Sequence, residues 1–200
     1  MKNPTHALLA YVGSYTTPGR NGRGNGINVY KVDPHTAAFT HLQHLGGVEN
    51  PSFLAIDPSG RYLYSIHGDR SDATAYSIDR RTGRLALLNR ESTGGYNPVH
   101  LALDANGAFL AVANYGSDSL AVLPVRADGR LAPYSTLTPV GGTLGPHRVQ
   151  QRNIAPHHIP LDRQGRFFYV PCKGSDSVVA YRLDEIRGVL VEAARVTARP

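Results

Sequence analysis

A single cysteine, Cys172, occurs in the 200 residues. That scarcity excludes an internal disulfide and with it the disulfide-framed secreted scaffolds, so a reducing compartment is allowed and a cytoplasmic location is expected. Long hydrophobic runs are missing too. The apolar stretch from Ala7 to Val12 is too short for a signal peptide core or a membrane span, and it reads as a strand. There is no Gly-x-Ser-x-Gly elbow, phosphate loop or dinucleotide fingerprint, and Cys172 sits at a strand end rather than a helix start, so nucleophilic catalysis has no support. The formal charge is +6, yet the arginines form no stripe and sit at turns such as Arg80-Arg81 and Arg126. This speaks against nucleic acid and leaves room for a small anionic ligand. Nine histidines show no metal-like spacing. Neither a metal nor another cofactor is expected.

What is present is a repeat. Asn50-Pro51-Ser-Phe-Leu-Ala-Ile-Asp57-Pro-Ser-Gly60 recurs as Asn97-Pro98-Val-His-Leu-Ala-Leu-Asp104-Ala-Asn-Gly107 and again as Ala155-Pro156-His-His-Ile-Pro-Leu-Asp162-Arg-Gln-Gly165. After each copy comes an apolar run, a Gly/Asp/Ser turn, a second alternating run, and a short strand opened by Gly83-Arg-Leu85, Gly129-Arg-Leu131 or Gly188-Val-Leu190. Each unit therefore reads as a four-stranded meander. Four-stranded units at a period of about 45 residues are the blades of a β-propeller, a better fit than a β-helix or a sandwich.

The predicted fold is all-β, a single propeller domain over 1–200 with blades at about 8–46, 50–93, 97–140 and 155–198. Leu8 to Tyr15, Ile27 to Asp33 and Phe39 to Leu45 supply only the last three strands of the first blade, making 15 strands in all. The absent inner strand, and the absence of any blade after Pro200, give the expectation of a C-terminally truncated chain whose open blade faces would be available for self-association. The interval before the last blade is longer, owing to an inserted loop around Thr143 to Ile154, and such insertions often carry function.

In a meander numbered from the axis outward, the loop entering the inner strand and the loop between strands two and three share one face. Asp57, Asp104 and the Arg80-to-Gly83 and Ala127-to-Gly129 turns fall on the opposite face and read as turn formers. The near face collects Tyr15, His67 to Asp69, Tyr96 to His100, Asn114-Tyr115, the loop from Gly145 through His147 and Arg148 to His157-His158, and Lys173 with Asp176. Because neighbouring strand residues point to opposite sides, only one of His157 and His158 can face the channel. His157, following the inserted loop, is the favoured functional histidine. His100 reads first as a packing residue.

Tyr11-Val-Gly-Ser-Tyr15, Asn50-Pro51-Ser with Asp57 to Tyr64, Asn97 to Leu101 with Val112-Ala-Asn-Tyr-Gly116, and Gly145-Pro-His-Arg to Pro156-His157 together resemble the lactonase, or cycloisomerase-2, propellers across essentially the whole chain. The resemblance implies seven blades and metal-independent enzymes of about twice this length, among them 6-phosphogluconolactonases and carboxy-muconate lactonizing enzymes. It places the family's central histidine, five residues before the inner-strand Asp, at His157, with Arg148 and Gln151 in the preceding loop. Ala155 departs from the polar residue usual there. The implied assignment is His157 and Arg148 as catalytic groups, with His100, Gln151, His147, Asn114 and Tyr115 contacting a small anionic lactone or sugar-acid substrate. The family's next blade contributes further active-site groups, so this chain is expected to be weakly active or inactive alone. A muconate-type cycloisomerase and a non-catalytic binding propeller are the alternatives.

Overall fold

In each repeat the turn that leads into the second strand is tied by its own side chain. In the computed structural model, which describes residues 8–198, the Asp57 carboxylate accepts the N–H groups of Arg61 and Tyr62 at 2.8 and 2.7 Å. Asp104 accepts Phe109 N–H at 2.7 Å, and Asp162 accepts those of Arg166 and Phe167 at 2.6 and 3.0 Å. Three residues after each Asp the chain needs a left-handed conformation, and Gly60, Gly107 and Gly165 supply it at φ 67, 70 and 70°. These three acids are structural.

The turns join antiparallel strands into four successive sheets. Blade 1 holds β1 (Leu8–Gly13), β2 (Ile27–Val32) and β3 (Phe39–Leu45). Blade 2 holds β4 (Pro51–Ile56), β5 (Tyr62–His67), β6 (Asp72–Ile78) and β7 (Leu85–Ser92). Blade 3 holds β8 (Pro98–Leu103), β9 (Phe109–Asn114), β10 (Ser119–Pro124) and β11 (Thr136–Pro139). Blade 4 holds β12 (Phe168–Cys172), β13 (Ser177–Asp184) and β14 (Val189–Thr197). Sheet order follows chain order throughout, as in a propeller.

Two strands differ from the sequence expectation. The inner strand of blade 4 is reduced to isolated bridges at Pro156↔Cys172 and Leu161↔Phe168, so the described residues form 14 strands rather than 15. Pro156 and Pro160 have no N–H to give, and an inner edge tolerates that interruption. The outer strand of blade 3 does not run on from Gly129-Arg-Leu131. Leu131 only bridges Val125, Pro133 intervenes, and pairing to β10 resumes at β11.

Period-two alternation builds the core as layers between blades. On β5, Leu63 faces blade 1 with Ile27, Val29 and Tyr76, whereas its neighbour Tyr64 faces blade 3 with Leu101, Leu110 and Val112. A third layer, including Leu120, Ile159, Phe168 and Val179, joins blades 3 and 4. Polar staples accompany the apolar layers. A β-bulge sits opposite Val29–Tyr30 and recurs opposite Ala75–Tyr76, and directly after it come Gln43 and Asn89. Gln43 brackets the backbone of Leu85, donating to its C=O at 2.9 Å and accepting its N–H at 2.7 Å. Asn89 brackets Leu131 in the same way, at 2.8 and 3.0 Å. The hydroxyls of Tyr11 and Tyr64 donate to the carbonyls of Gly83 and Gly129 at 2.9 and 3.0 Å. The Gly-x-Leu segments are thus receivers for the preceding blade.

Asn89→Ala leaves both backbone polar groups of the buried Leu131 without their staple. The expected cost is about 2 kcal/mol of stability, read as a lower urea midpoint at constant m. An unchanged midpoint would show that water replaces the carboxamide.

Candidate active site

The near face is shaped by backbone that ordinary residues avoid. The residues entering the inner strands, Asn50, Asn97 and Ala155, are left-handed at φ 41, 51 and 54°. So are Asp69, Asp118 and Asp176 between the second and third strands, at φ 63, 51 and 47°. Asn and Asp tolerate this conformation because their short polar side chains bond locally. The Asn50 amide accepts Thr16 N–H at 2.8 Å and donates to Gly68 O at 3.0 Å, while Asn97 accepts Asp69 N–H at 3.0 Å. Ala155 has no such side chain. In its place Asp118, from blade 3, accepts Ala155 N–H at 2.8 Å, Ile154 N–H at 3.0 Å and the Asn153 amide at 2.9 Å. Gly174 completes the fit, since a Cβ there would lie 1.6 Å from Asn153 O.

This clamp aims the residues that follow it. His157 donates its backbone N–H to Pro171 O at 2.9 Å and presents an exposed ring. That ring borders a cleft of about 330 Å3, shared with Tyr15, Arg20, Ser52, Asn97, Val99 and Tyr115. Ser52, Val99 and His157 are the same position of three successive blades. Their neighbours Phe53, His100 and His158 form a second column on the other side of the strands, with ring centroids 4.1 Å apart for Phe53 and His100 and 3.6 Å for His100 and His158.

The two columns differ electrostatically. His100 is buried, and its Nδ1 accepts Ile159 N–H at 3.2 Å. Desolvation, then the nearby His158 and His157, push its pKa down to about 3. Burial, then His157, also lowers that of His158. Among the described residues the His157 ring has no hydrogen-bond partner, and it meets the Tyr115 ring edge-on at 5.6 Å. Its imidazole nitrogens are therefore open to a ligand. In the same cleft the Ser52 Oγ is buried with no partner. Arg20 forks onto Asp69 with both bonds at 2.6 Å and stacks over Tyr15 at 5.2 Å.

The remaining residues predicted from sequence are dispersed. His147 and Gln151 line a second cleft of about 450 Å3, with Pro146, Gln150, Lys173 and Asp176. There Gln151 ties the inserted loop, donating to Asp176 Oδ1 at 2.6 Å and accepting His147 N–H at 2.9 Å, and His147 Nδ1 faces the N–H groups of Val149 and Gln150. Asn114 lies buried beneath the near face and donates to Thr93 O at 3.1 Å. Arg148 is exposed and lines neither cleft. Sequence reasoning missed Arg20 and the buried, unpartnered hydroxyl of Ser52. The Pro18-Gly-Arg-Asn-Gly22 turn gives no periodic signal, and only the fold brings it against Asp69. Among the described residues no group of three or more His, Cys, Asp or Glu side chains converges to hold a metal, and no helix is long and apolar enough to cross a membrane.

Residues 9–200 match the family model described as "Lactonase, 7-bladed beta-propeller". The chain is 29% identical over 195 residues to a 6-phosphogluconolactonase of Bacillus subtilis (strain 168), covering 96% of this chain and 53% of that protein. A 6-phosphogluconolactonase of Formosa agariphila is 29% identical over 181 residues, 87% of this chain and 49% of that protein. Among solved structures, the periplasmic gluconolactonase PpgL of Pseudomonas aeruginosa superposes with a TM-score of 0.81 at 31% identity, over 96% of this chain and 55% of that one. The chain spans about half the length of the curated relatives it matches.

Two outcomes follow from the geometry. Asp118→Ala removes three acceptor contacts and is expected to cost about 3 kcal/mol, with faster hydrogen exchange at the Ile154 and Ala155 amides. Protected amides in the variant would count against the clamp. Because the folded pKa of His100 lies below its unfolded value near 6.5, its protonation favours the unfolded chain. Its contribution is complete above pH 6.5 and is lost as pH falls toward 3. The buried His67, also lowered by burial, acts in the same direction. His100→Gln is expected to flatten the fall in melting temperature between pH 6.5 and about 4.5 in calorimetry; an unaltered slope would assign that fall to other groups.

Proposed function

Because the chain belongs to the lactonase family of seven-bladed β-propellers, we propose that the cleft bordered by His157 binds an aldonolactone, 6-phosphogluconolactone first, and that His157 serves its hydrolysis. The observation that carries this reading is the convergence on one cleft of an unpartnered imidazole, an unpartnered buried hydroxyl at Ser52 and the Arg20 guanidinium. The names of the relatives, 6-phosphogluconolactonase and gluconolactonase, supply the substrate class. The single buried thiol is compatible with action in a reducing cytoplasm.

Lactone hydrolysis needs three things from such a cleft: a proton acceptor for water, donors for the oxyanion, and a proton donor for the departing ring oxygen. In the proposed course a ring nitrogen of His157 takes a proton as the water oxygen bonds to the lactone carbonyl carbon. The carbonyl π electrons move onto its oxygen, to which Arg20 can offer the N–H groups that Asp69 does not engage. Collapse breaks the bond from that carbon to the ring oxygen, and the imidazolium returns its proton to the alkoxide. The product is the open aldonic acid, which gives its carboxyl proton to solvent and leaves as the aldonate, so atoms and charge balance and His157 is regenerated. Tyr115, edge-on to His157, restricts the ring on one side.

With purified chain and 6-phosphogluconolactone, corrected for spontaneous ring opening, His157→Ala is expected to lower turnover by about a hundredfold or more while the melting temperature stays within about 2 °C. Equal turnover in the two proteins would overturn the assignment.

A further inference from the structure

We propose that a cleft between blades 1 and 2, on the face opposite the His157 cleft, binds a nucleotide: a planar heterocyclic body carrying several phosphate charges. The two clefts lie at opposite strand ends, and the inference stands independently of the reading given for His157.

This cleft has a volume of about 720 Å3, within the range of small-molecule sites. Its apolar lining comes from Leu9 and Leu42 of blade 1 and Ile78 of blade 2. Leu9 occupies a position that recurs at each blade junction. A Cβ added to Gly83 would lie 2.6 Å from Leu9 Cδ1, one on Gly129 2.2 Å from Tyr62 Cδ1, and one on Gly188 3.2 Å from Phe109 Cε1. The three side chains thus cover the receiver glycine of the next blade in turn. At the second and third junctions the cover is an aromatic ring, and the Tyr62 hydroxyl reaches on to Ala127 O at 3.4 Å. The first junction has only a leucine. Room for a ring is left there, against aliphatic side chains that suit the face of a heterocycle.

The same junction concentrates positive charge. The turn between β6 and β7 is Asp79-Arg80-Arg81-Thr82-Gly83, whereas the turn of equal length in blade 4 is Asp184-Glu185-Ile186-Arg187-Gly188 and the shorter one in blade 3 carries Ala127-Asp128. Only blade 2 sets two arginines side by side. Arg80, Arg81 and Arg84 line the cleft with Lys31 of β2, from across the junction, and Asp79 is the one acid among the lining residues. Its carboxylate is committed to the turn, accepting the N–H groups of Arg81 and Thr82 at 2.9 Å each. Asp33, close enough to Lys31 to feel its charge, is likewise held by the N–H groups of His35 and Thr36 at 2.8 and 3.0 Å. Among the described residues no carboxylate lies within ion-pair distance of any of the four cations. Guanidinium forks match phosphate oxygens two bonds at a time. Three arginines and a lysine beside an apolar slot therefore suit a ligand whose charge sits at one end of a flat body, as in a nucleoside triphosphate.

The test is titration calorimetry of the 200-residue chain in magnesium-free buffer with ATP, adenosine and tripolyphosphate. ATP is expected to bind about tenfold more tightly than either fragment, with an affinity that falls at high salt. The double variant Arg80→Gln/Arg81→Gln is expected to weaken ATP by about tenfold or more. Leu9→Tyr, which installs the ring found at the next junction, is expected to weaken it similarly while the melting temperature holds, and His157→Ala to leave it unchanged. Failure to bind ATP, full affinity in R80Q/R81Q, or loss of binding in H157A would overturn the site. Tripolyphosphate or adenosine binding as tightly as ATP would show a bare anion patch or a bare apolar slot, and undiminished affinity in L9Y would place the base elsewhere; each refutes the nucleotide assignment.

Discussion

The carboxylate of Asp118 is the constraint on which the candidate site depends. It stands at the turn between β9's blade-3 partner strand β10 and β9 itself, and it reaches across to three donors in the segment that opens blade 4. Those bonds compensate for Ala155, a residue in a left-handed conformation without a side chain to support it. Once Ala155 is set, His157 borders the cleft with Tyr15 and Tyr115, and the exposed His158 packs its ring against His100. A blade-4 inner strand interrupted by Pro156 and Pro160 could not impose that direction through its own ladder. The neighbouring blade does so instead.

The same principle runs through the molecule: each blade completes its neighbour. Apolar layers provide the bulk of the burial, and the side-chain amides of Gln43 and Asn89 with the hydroxyls of Tyr11 and Tyr64 fix the angle and height at which successive sheets meet. These staples satisfy backbone groups at the Gly-x-Leu receivers that would otherwise be buried unpaired. Scaffold and chemistry are then separable. Positions that bind the next blade recur in kind, as with Gln43 and Asn89, whereas positions at the channel mouth diverge. Ser52, Val99 and His157 share one column, and Gly68, Tyr115 and Lys173 another, yet no two residues in either column have the same chemistry. Divergence inside an otherwise regular repeat is where the polar groups of the candidate site lie.

The repeat itself was legible because strands, turns and receivers are local. Asp57, Asp104 and Asp162 followed by Gly60, Gly107 and Gly165 form turns wherever they occur, and alternation assigns strand faces without knowledge of neighbours. The two misplaced strands had a visible cause in Pro133, Pro156 and Pro160, whose missing N–H groups outweighed the periodicity around them. The separation of His157 from His158 was also legible from the expected period of a strand, although blade 4 keeps only isolated bridges there and Asp118 sets the direction instead.

What the sequence by itself determined is therefore the all-β repeat, its turns and the column in which each histidine lies. Only the tertiary structure decided which polar residues meet. Arg20 pairs with Asp69, Asp118 holds Ala155, and Lys173 stands over Tyr115, each across a blade boundary and through contacts between residues 37 to 58 positions apart. Gln151 and His147, attractive as ligand groups in the linear chain, are used to tie the inserted loop, and His100 is stripped of water in the layer between sheets. The physical reason is one of range. Backbone geometry and alternation act over a few residues, but desolvation and hydrogen-bond satisfaction at a channel mouth depend on which blade lies next door.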